Sequence, residues 1–182
     1  FGIADPIAIN SDQFWKNGKY NEAALENVYV LDTARARQRV ESIITALHRY
    51  EPEVASLKGI GFCVTIRHAE FMAEQFCQRG IPSAPFVSGI DSDQCADLLA
   101  RLKNGQLTFL FTVDKLSEGV DVPEINTVLF LRPTESLTVF IQQLGRGLRH
   151  APEKDCLTVL DFVGQAHRRY RIDTKLKALL PR

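Results

Sequence analysis

The sequence predicts an α/β fold, a three-layer sandwich around a mainly parallel sheet. Two observations predict it. From Gly59 onward, apolar runs of strand length alternate with stretches whose apolar residues recur at helical spacing. The runs are also apolar on both faces, as strands covered by helices on each side must be. Right-handed crossovers then make the sheet doubly wound.

Taken in order, residues 60–66 (Ile-Gly-Phe-Cys-Val-Thr-Ile) read as the first strand. Ala69, Met72, Ala73, Phe76 and Cys77 follow at i, i+3, i+4, i+7 and i+8, an amphipathic helix closed by Gly80 and Pro82. Residues 84–87 form a brief strand. Cys95, Leu98, Leu99 and Leu102 repeat the helical spacing until Asn104-Gly105 stops it. Residues 107–113, 127–131 and 157–163 are strongly β-prone. Ligands meet such sheets at the carboxyl ends of the strands, which points to the stretches after Ile66, Val87, Val113, Leu131 and Val163. Upstream, residues 33–50 contain one helix with Ala36, Val40, Ile43, Ile44 and Leu47 on one side. Residues 1–31 read as irregular, with the turn pair Asn17-Gly18 among Phe14, Trp15, Tyr20 and Tyr29. The expected division is a connector and helix over 1–57, packed on a domain over 58–182.

The 182 residues suit about one domain, and 45% hydrophobic with 24% charged residues is an ordinary globular composition. Lys and Arg number 22, as do Asp and Glu, so attraction to a nucleic acid or a membrane must come from local patches. No apolar run approaches the ~18–20 residues that cross a bilayer. The start has no basic stretch ahead of an apolar one, so no signal peptide is expected. A first residue other than Met and an abrupt end at Pro181-Arg182 suggest a piece of a longer polypeptide. Cys63, Cys77, Cys95 and Cys156 lack Cys-x-x-Cys spacing, and His48, His68, His150 and His167 lack i, i+4 pairing. No metal site is expected from them; mostly buried thiols in a cytoplasmic protein are.

The segment 134–150 is the most informative. As a helix capped by Thr134 or Ser136, it gathers Leu137, Phe140, Ile141, Leu144 and Leu148 in one sector. Gln142, Arg146 and Arg149 then share the opposite side. Gly145 and Gly147 each cost a helix roughly 1 kcal/mol relative to Ala, which suggests close approach by another group. The plainer alternative is an exposed face on which arginines aid solubility. In 111–123 a strand end leads into a turn that can present Thr112, Asp114 and Asp121 to a ligand, or merely cap a helix. At Thr65-Ile66-Arg67-His68 a strand becomes a helix, whose first N–H groups bind phosphate readily with Arg67 or His68 assisting.

Together these segments resemble the C-terminal RecA-like domain of superfamily-two helicases, nearest to bacterial DEAD/DEAH-type helicases related to type III restriction subunits. Gln142-x-x-Gly145-Arg146-x-x-Arg149 is similar to the family's last motif, 117–123 (Ser-Glu-Gly-Val-Asp-Val-Pro) to the preceding one, and 61–70 to the earlier strand motif. The resemblance implies a RecA-like sheet and the second motor lobe of an ATP-dependent nucleic-acid helicase or translocase. It implies that Arg149 and Arg146 reach the γ-phosphate, with Arg149 the arginine finger, and that Gln142 orients that group or water. Gly119, Asp121 and Gly145 would lie against the nucleotide. Thr65, Arg67, His68 and Thr112 would meet the nucleic-acid strand. Glu118 and Gln142 stand where DEAD-box proteins have Arg and His, and Val113 precedes Asp114 where they have Thr. These departures favour a DNA-directed relative.

A G-x-x-x-x-G-K-[S/T] loop is absent, since the only Gly-Lys pair, Gly18-Lys19, is followed by Tyr20, and no Asp-Glu pair occurs. ATP and Mg would therefore be held mainly by an N-terminal RecA-like lobe of the same polypeptide. Asp161 reads as structural. Six Lys/Arg against one acid over 167–182 form a basic tail that tracks phosphates or is simply solvated. Two other classes remain: a non-catalytic nucleic-acid or protein docking module of the same fold, and, less favoured, a flavodoxin-like enzyme, which lacks the glycine-rich turn.

Overall fold

The apolar runs from residue 59 onward become five strands of one parallel sheet. The structure is a computed structural model that describes residues 2–113, 125–133 and 157–162. A small antiparallel pair, β1 (Trp15–Lys16) and β2 (Lys19–Tyr20), precedes helices α1 (Glu22–Glu26) and α2 (Thr33–Tyr50). The sheet strands are β3 (Gly59–Phe62), β4 (Ser83–Pro85), β5 (Phe109–Thr112), β6 (Thr127–Phe130) and β7 (Thr158–Asp161), with α3 (Ile66–Gln78) and α4 (Ser92–Lys103) between them. Their spatial order is β4-β5-β3-β6-β7, every pairing parallel.

Alternation along each strand divides the core in two. Phe109, Phe111, Leu129 and Leu160 face α2 and α3, where they meet Val40, Ile43, Leu47, Met72 and Phe76. Ile60, Phe62, Leu110, Val128 and Phe130 face the other way, against Phe86, Leu102 and the half-buried Leu98 and Leu99 of α4. Helices on both faces make the three-layer sandwich. Gly59 and Gly61 belong to the crowded first face. A Cβ on Gly61 would overlap the Phe111 ring, and one on Gly59 the Phe109 ring. Without those side chains, both rings stand edge-on to Phe76, at centroid distances of 4.9 and 5.4 Å.

The sheet strands are shorter than the apolar runs. The run 60–66 ends as a strand at Phe62, because Thr65 caps α3: its hydroxyl oxygen accepts the His68 N–H at 3.2 Å. Ala69, Met72, Ala73 and Phe76 are buried as the spacing predicts, but Cys77 is exposed. It lies at the margin of the stripe, where its thiol donates to the Ser83 carbonyl at 3.2 Å. The expectation of mostly buried thiols is corrected accordingly, since Cys95 is also only half-buried. On α2 the buried row includes Arg39, whereas Ile44 is only partly covered.

Residues before α2 are more ordered than the irregular reading expects. Asn17 (φ 53°) and Gly18 (φ 81°) occupy the left-handed region, so Asn-Gly makes a two-residue hairpin turn that joins β1 to β2. Ile7, Ile9, Phe14, Leu25, Val28 and Tyr29 form a third cluster that reaches Val64, just past β3. Gly2 bridges Asp161 in parallel and the Ile3 N–H donates to the Asp161 carbonyl at 2.7 Å, covering the outer edge of β7.

Candidate nucleotide and nucleic-acid site

The strand order sets where a ligand can sit. After β3 the chain moves toward β4 at one edge; after β6 it moves toward β7 at the other. Adjacent strands whose connections diverge leave a crevice at their carboxyl ends, the usual ligand position in such sheets. Here the diverging pair is β3 and β6, and the residues bounding the crevice are 63–65 and 131–133.

Thr65 and Arg67 lie on this rim. The Thr65 oxygen is engaged in the cap, leaving its O–H to donate elsewhere. The Arg67 side chain is 63% exposed, with Glu26 Oε1 at 3.4 Å from Nη1, so it can exchange that partner for a phosphate at little cost. His68 is different. Its ring is fully buried, and Nδ1 accepts the Val64 N–H at 3.1 Å. The expected strand contact for His68 is corrected on this ground: the imidazole braces the turn after β3 and presents no nitrogen to solvent. Burial first, then the cations of Arg39 and Arg132, hold its pKa well below the ordinary histidine value, so it is neutral near pH 7. Thr112 is likewise fully buried, its hydroxyl without a partner among the described residues, so its expected strand contact is corrected too. Gln142, Arg146, Arg149, Gly119, Asp121 and Gly145, with Asp114 and the basic tail, lie outside the described residues.

The sequence reading missed what holds the rim. Arg39 on α2 is 2% exposed; its Nε donates to Asp5 Oδ2 at 2.6 Å and its Nη2 to the Leu131 carbonyl at 2.9 Å. The guanidinium carbon stands 3.8 Å over the Tyr29 ring, which lies 5.3 Å from the His68 ring. Burial raises the Tyr29 phenol above its ordinary pKa, with Arg39 opposing that rise. Burial likewise raises Cys63, which stays a thiol and is no nucleophile. One cation thus ties residues 5, 29 and 39 to the exits of both β3 and β6. Only the Asn-Gly turn hinted that the upstream segment is structured.

Comparisons with known proteins place these features. Residues 38–151 match the family described as helicase conserved C-terminal domain. The chain is 29% identical over 128 residues to IRC3 of Saccharomyces cerevisiae, covering 70% of this chain and 19% of that protein. It is 28% identical over 178 residues to UvrABC system protein B of Synechocystis, covering 81% of this chain and 26% of that protein. Among solved structures, the Pyrococcus furiosus Hef helicase domain superposes with a TM-score of 0.54 at 25% identity, over 73% of this chain and 26% of that one. The chain therefore spans about a quarter or less of each of these three relatives. Among the described residues, no helix is long and apolar enough to cross a membrane.

Proposed function

Because the chain belongs to the helicase conserved C-terminal domain family of the superfamily-two helicases, we propose that it is the second motor lobe of an ATP-dependent helicase or translocase that acts on DNA in the cytoplasm. The observation that carries this reading is coincidence. The family match over 38–151 runs through all three motif segments, and the sheet order opens a crevice beside the first of them.

In this reading Arg149 is the arginine finger, Arg146 its companion and Gln142 the group that orients phosphate or water. Gly119, Asp121 and Gly145 border a nucleotide whose phosphates and Mg are held by an N-terminal RecA-like lobe of the same polypeptide. Thr65 and Arg67 hold strand phosphates on the rim after β3. A finger stabilises charge that develops on the transferred phosphoryl group and contributes about 10³–10⁵ in rate. Arg149→Ala in the full-length protein is expected to cut ATPase turnover by orders of magnitude, with an unchanged urea midpoint. Turnover within about twofold of wild type removes the assignment.

A further inference from the structure

The ladder between β3 and β6 stops at a bond that both strands are placed to make. The Leu131 N–H donates to the Phe62 carbonyl at 3.0 Å, and in a parallel ladder the Leu131 carbonyl would next accept the Val64 N–H. Side chains take both groups instead. The Val64 N–H donates to His68 Nδ1 at 3.1 Å, and the Leu131 carbonyl accepts from Arg39 Nη2 at 2.9 Å. We propose that His68 and Arg39 are a pair of positioning residues: by occupying the two halves of this rung they hold the exits of β3 and β6 at the spacing that ATP hydrolysis requires. The proposal rests on the motor-lobe reading for the reaction it serves.

A split rung is tolerable only when both of its halves find partners, because an unpaired backbone group in the interior is costly. Both partners here are buried side chains, and one aromatic ring joins them. The Arg39 guanidinium carbon stands 3.8 Å over the Tyr29 ring, which lies 5.3 Å from the His68 ring. A π-helical turn over Asn27–Leu31, closed by the Asp32 N–H on the Asn27 carbonyl at 2.7 Å, delivers Tyr29 to this place. Such wide turns are rare and frequently mark functional sites. Asp5 fixes the guanidinium from another side. Its Oδ2 accepts from Arg39 Nε at 2.6 Å, while its Oδ1 accepts the Ile7 N–H at 2.9 Å.

Stability alone does not account for this arrangement. A ladder bond would satisfy the same two backbone groups without enclosing a cation, and a buried ion pair adds little over well-packed apolar side chains. What the pair adds is direction. Leu131 is followed by Arg132-Pro133, and proline fixes its own φ and keeps the residue before it extended. That stiff step carries any displacement at Leu131 on to residue 134, where the segment with Gln142, Arg146 and Arg149 begins. A displacement of about 1 Å at reacting groups can cost about 10²-fold in rate.

The test measures ATPase turnover per folded molecule and the urea midpoint together, in the full-length protein. In Arg39→Lys a single ammonium stays on Asp5 and cannot also reach Leu131 as a fork does. In His68→Leu the Val64 N–H loses its acceptor. Each variant should lose stability and about tenfold or more in kcat, with KM for ATP within about twofold of wild type, because the other lobe holds the nucleotide. The double variant leaves the Val64 N–H and the Leu131 carbonyl free to pair with each other. Its stability loss should therefore be smaller than the sum of the single losses, while kcat stays low. Leu47→Ala, which opens a cavity beneath the same helix α2, should lose stability and keep kcat. Asp5→Asn, which loosens the guanidinium but keeps an acceptor for Ile7, gives the same rate readout if Arg39→Lys does not fold. Additive stability losses, a kcat that recovers with stability in the double variant, or single-variant rates within about twofold of wild type each overturn the proposal. If Arg149→Ala keeps its turnover while Arg39→Lys loses it, the finger assignment falls and the positioning pair stands.

Discussion

Asp5 and Arg39, 34 residues apart, form an ion pair at 2.6 Å with both side chains almost wholly buried. The pair is a link in a chain of contacts, because the same guanidinium donates to the Leu131 carbonyl at the exit of β6. Leu131 stands only a few residues before the segment that carries Gln142 and the two arginines of the last motif.

Removing one partner of a buried pair leaves an uncompensated charge, which typically costs about 3–5 kcal/mol. Arg39→Met and Asp5→Leu are each expected to lower stability by that order in urea unfolding. The double variant should lose clearly less than the sum, because it leaves no orphaned charge. Additive losses would show that the two groups are not coupled.

His68 makes stability depend on pH, and the sign follows from its depressed pKa. The folded chain keeps the imidazole neutral, whereas the unfolded chain protonates it near pH 6.5. Below that pH the unfolded state binds the extra proton, so stability is full above about pH 6.5 and falls as pH drops toward the lower folded value. The slope is at most about 1.4 kcal/mol per pH unit. Unfolding midpoints between pH 7.5 and 5 should show this decline in wild type and a flatter profile in His68→Gln.

Gly61→Ala should be costly for the volume of a single methyl group. The new Cβ overlaps the Phe111 ring, which is itself held against Phe76, so neither can move aside freely. Overpacking of this kind costs about 1–3 kcal/mol. A thermal melt checks it, and a loss below ~0.5 kcal/mol would mean that the aromatic stack yields easily.

Arg67→Ala separates binding from folding. Its exposed contact with Glu26 at 3.4 Å is worth at most ~1 kcal/mol, so the urea midpoint should barely move. On the proposed function, affinity for single-stranded DNA should fall for every sequence alike, with the salt slope reduced by about one. An unchanged salt slope would remove Arg67 from the strand contacts.

Much of the fold was legible in the sequence because apolar periodicity depends only on local geometry. The five sheet strands, the helix Thr33–Tyr50 and the stop at Asn104-Gly105 all follow from side-chain alternation or helical spacing with turn residues between. The hairpin at Asn17-Gly18 was legible as a turn but not as paired strands, since two-residue strands are too short to show a period. Of the candidate site, the stretch after β3 was legible as a strand exit that becomes a helix, whereas the motif segments 117–123 and 142–149 lie outside the described residues. Thr65 could be read as a helix cap from its place before α3, whereas the fate of His68 three residues on could not.

What the sequence by itself determined is the alternation of strand and helix and the order of the motif segments, both properties of near neighbours along the chain. The tertiary structure decided which polar groups are enclosed and with whom. Arg39 looks like any helix-surface arginine until Asp5 and Leu131, 34 and 92 residues away, arrive beside it. A charge is tolerable in the interior only when distant partners supply its hydrogen bonds at the right distance, and no local pattern encodes that meeting.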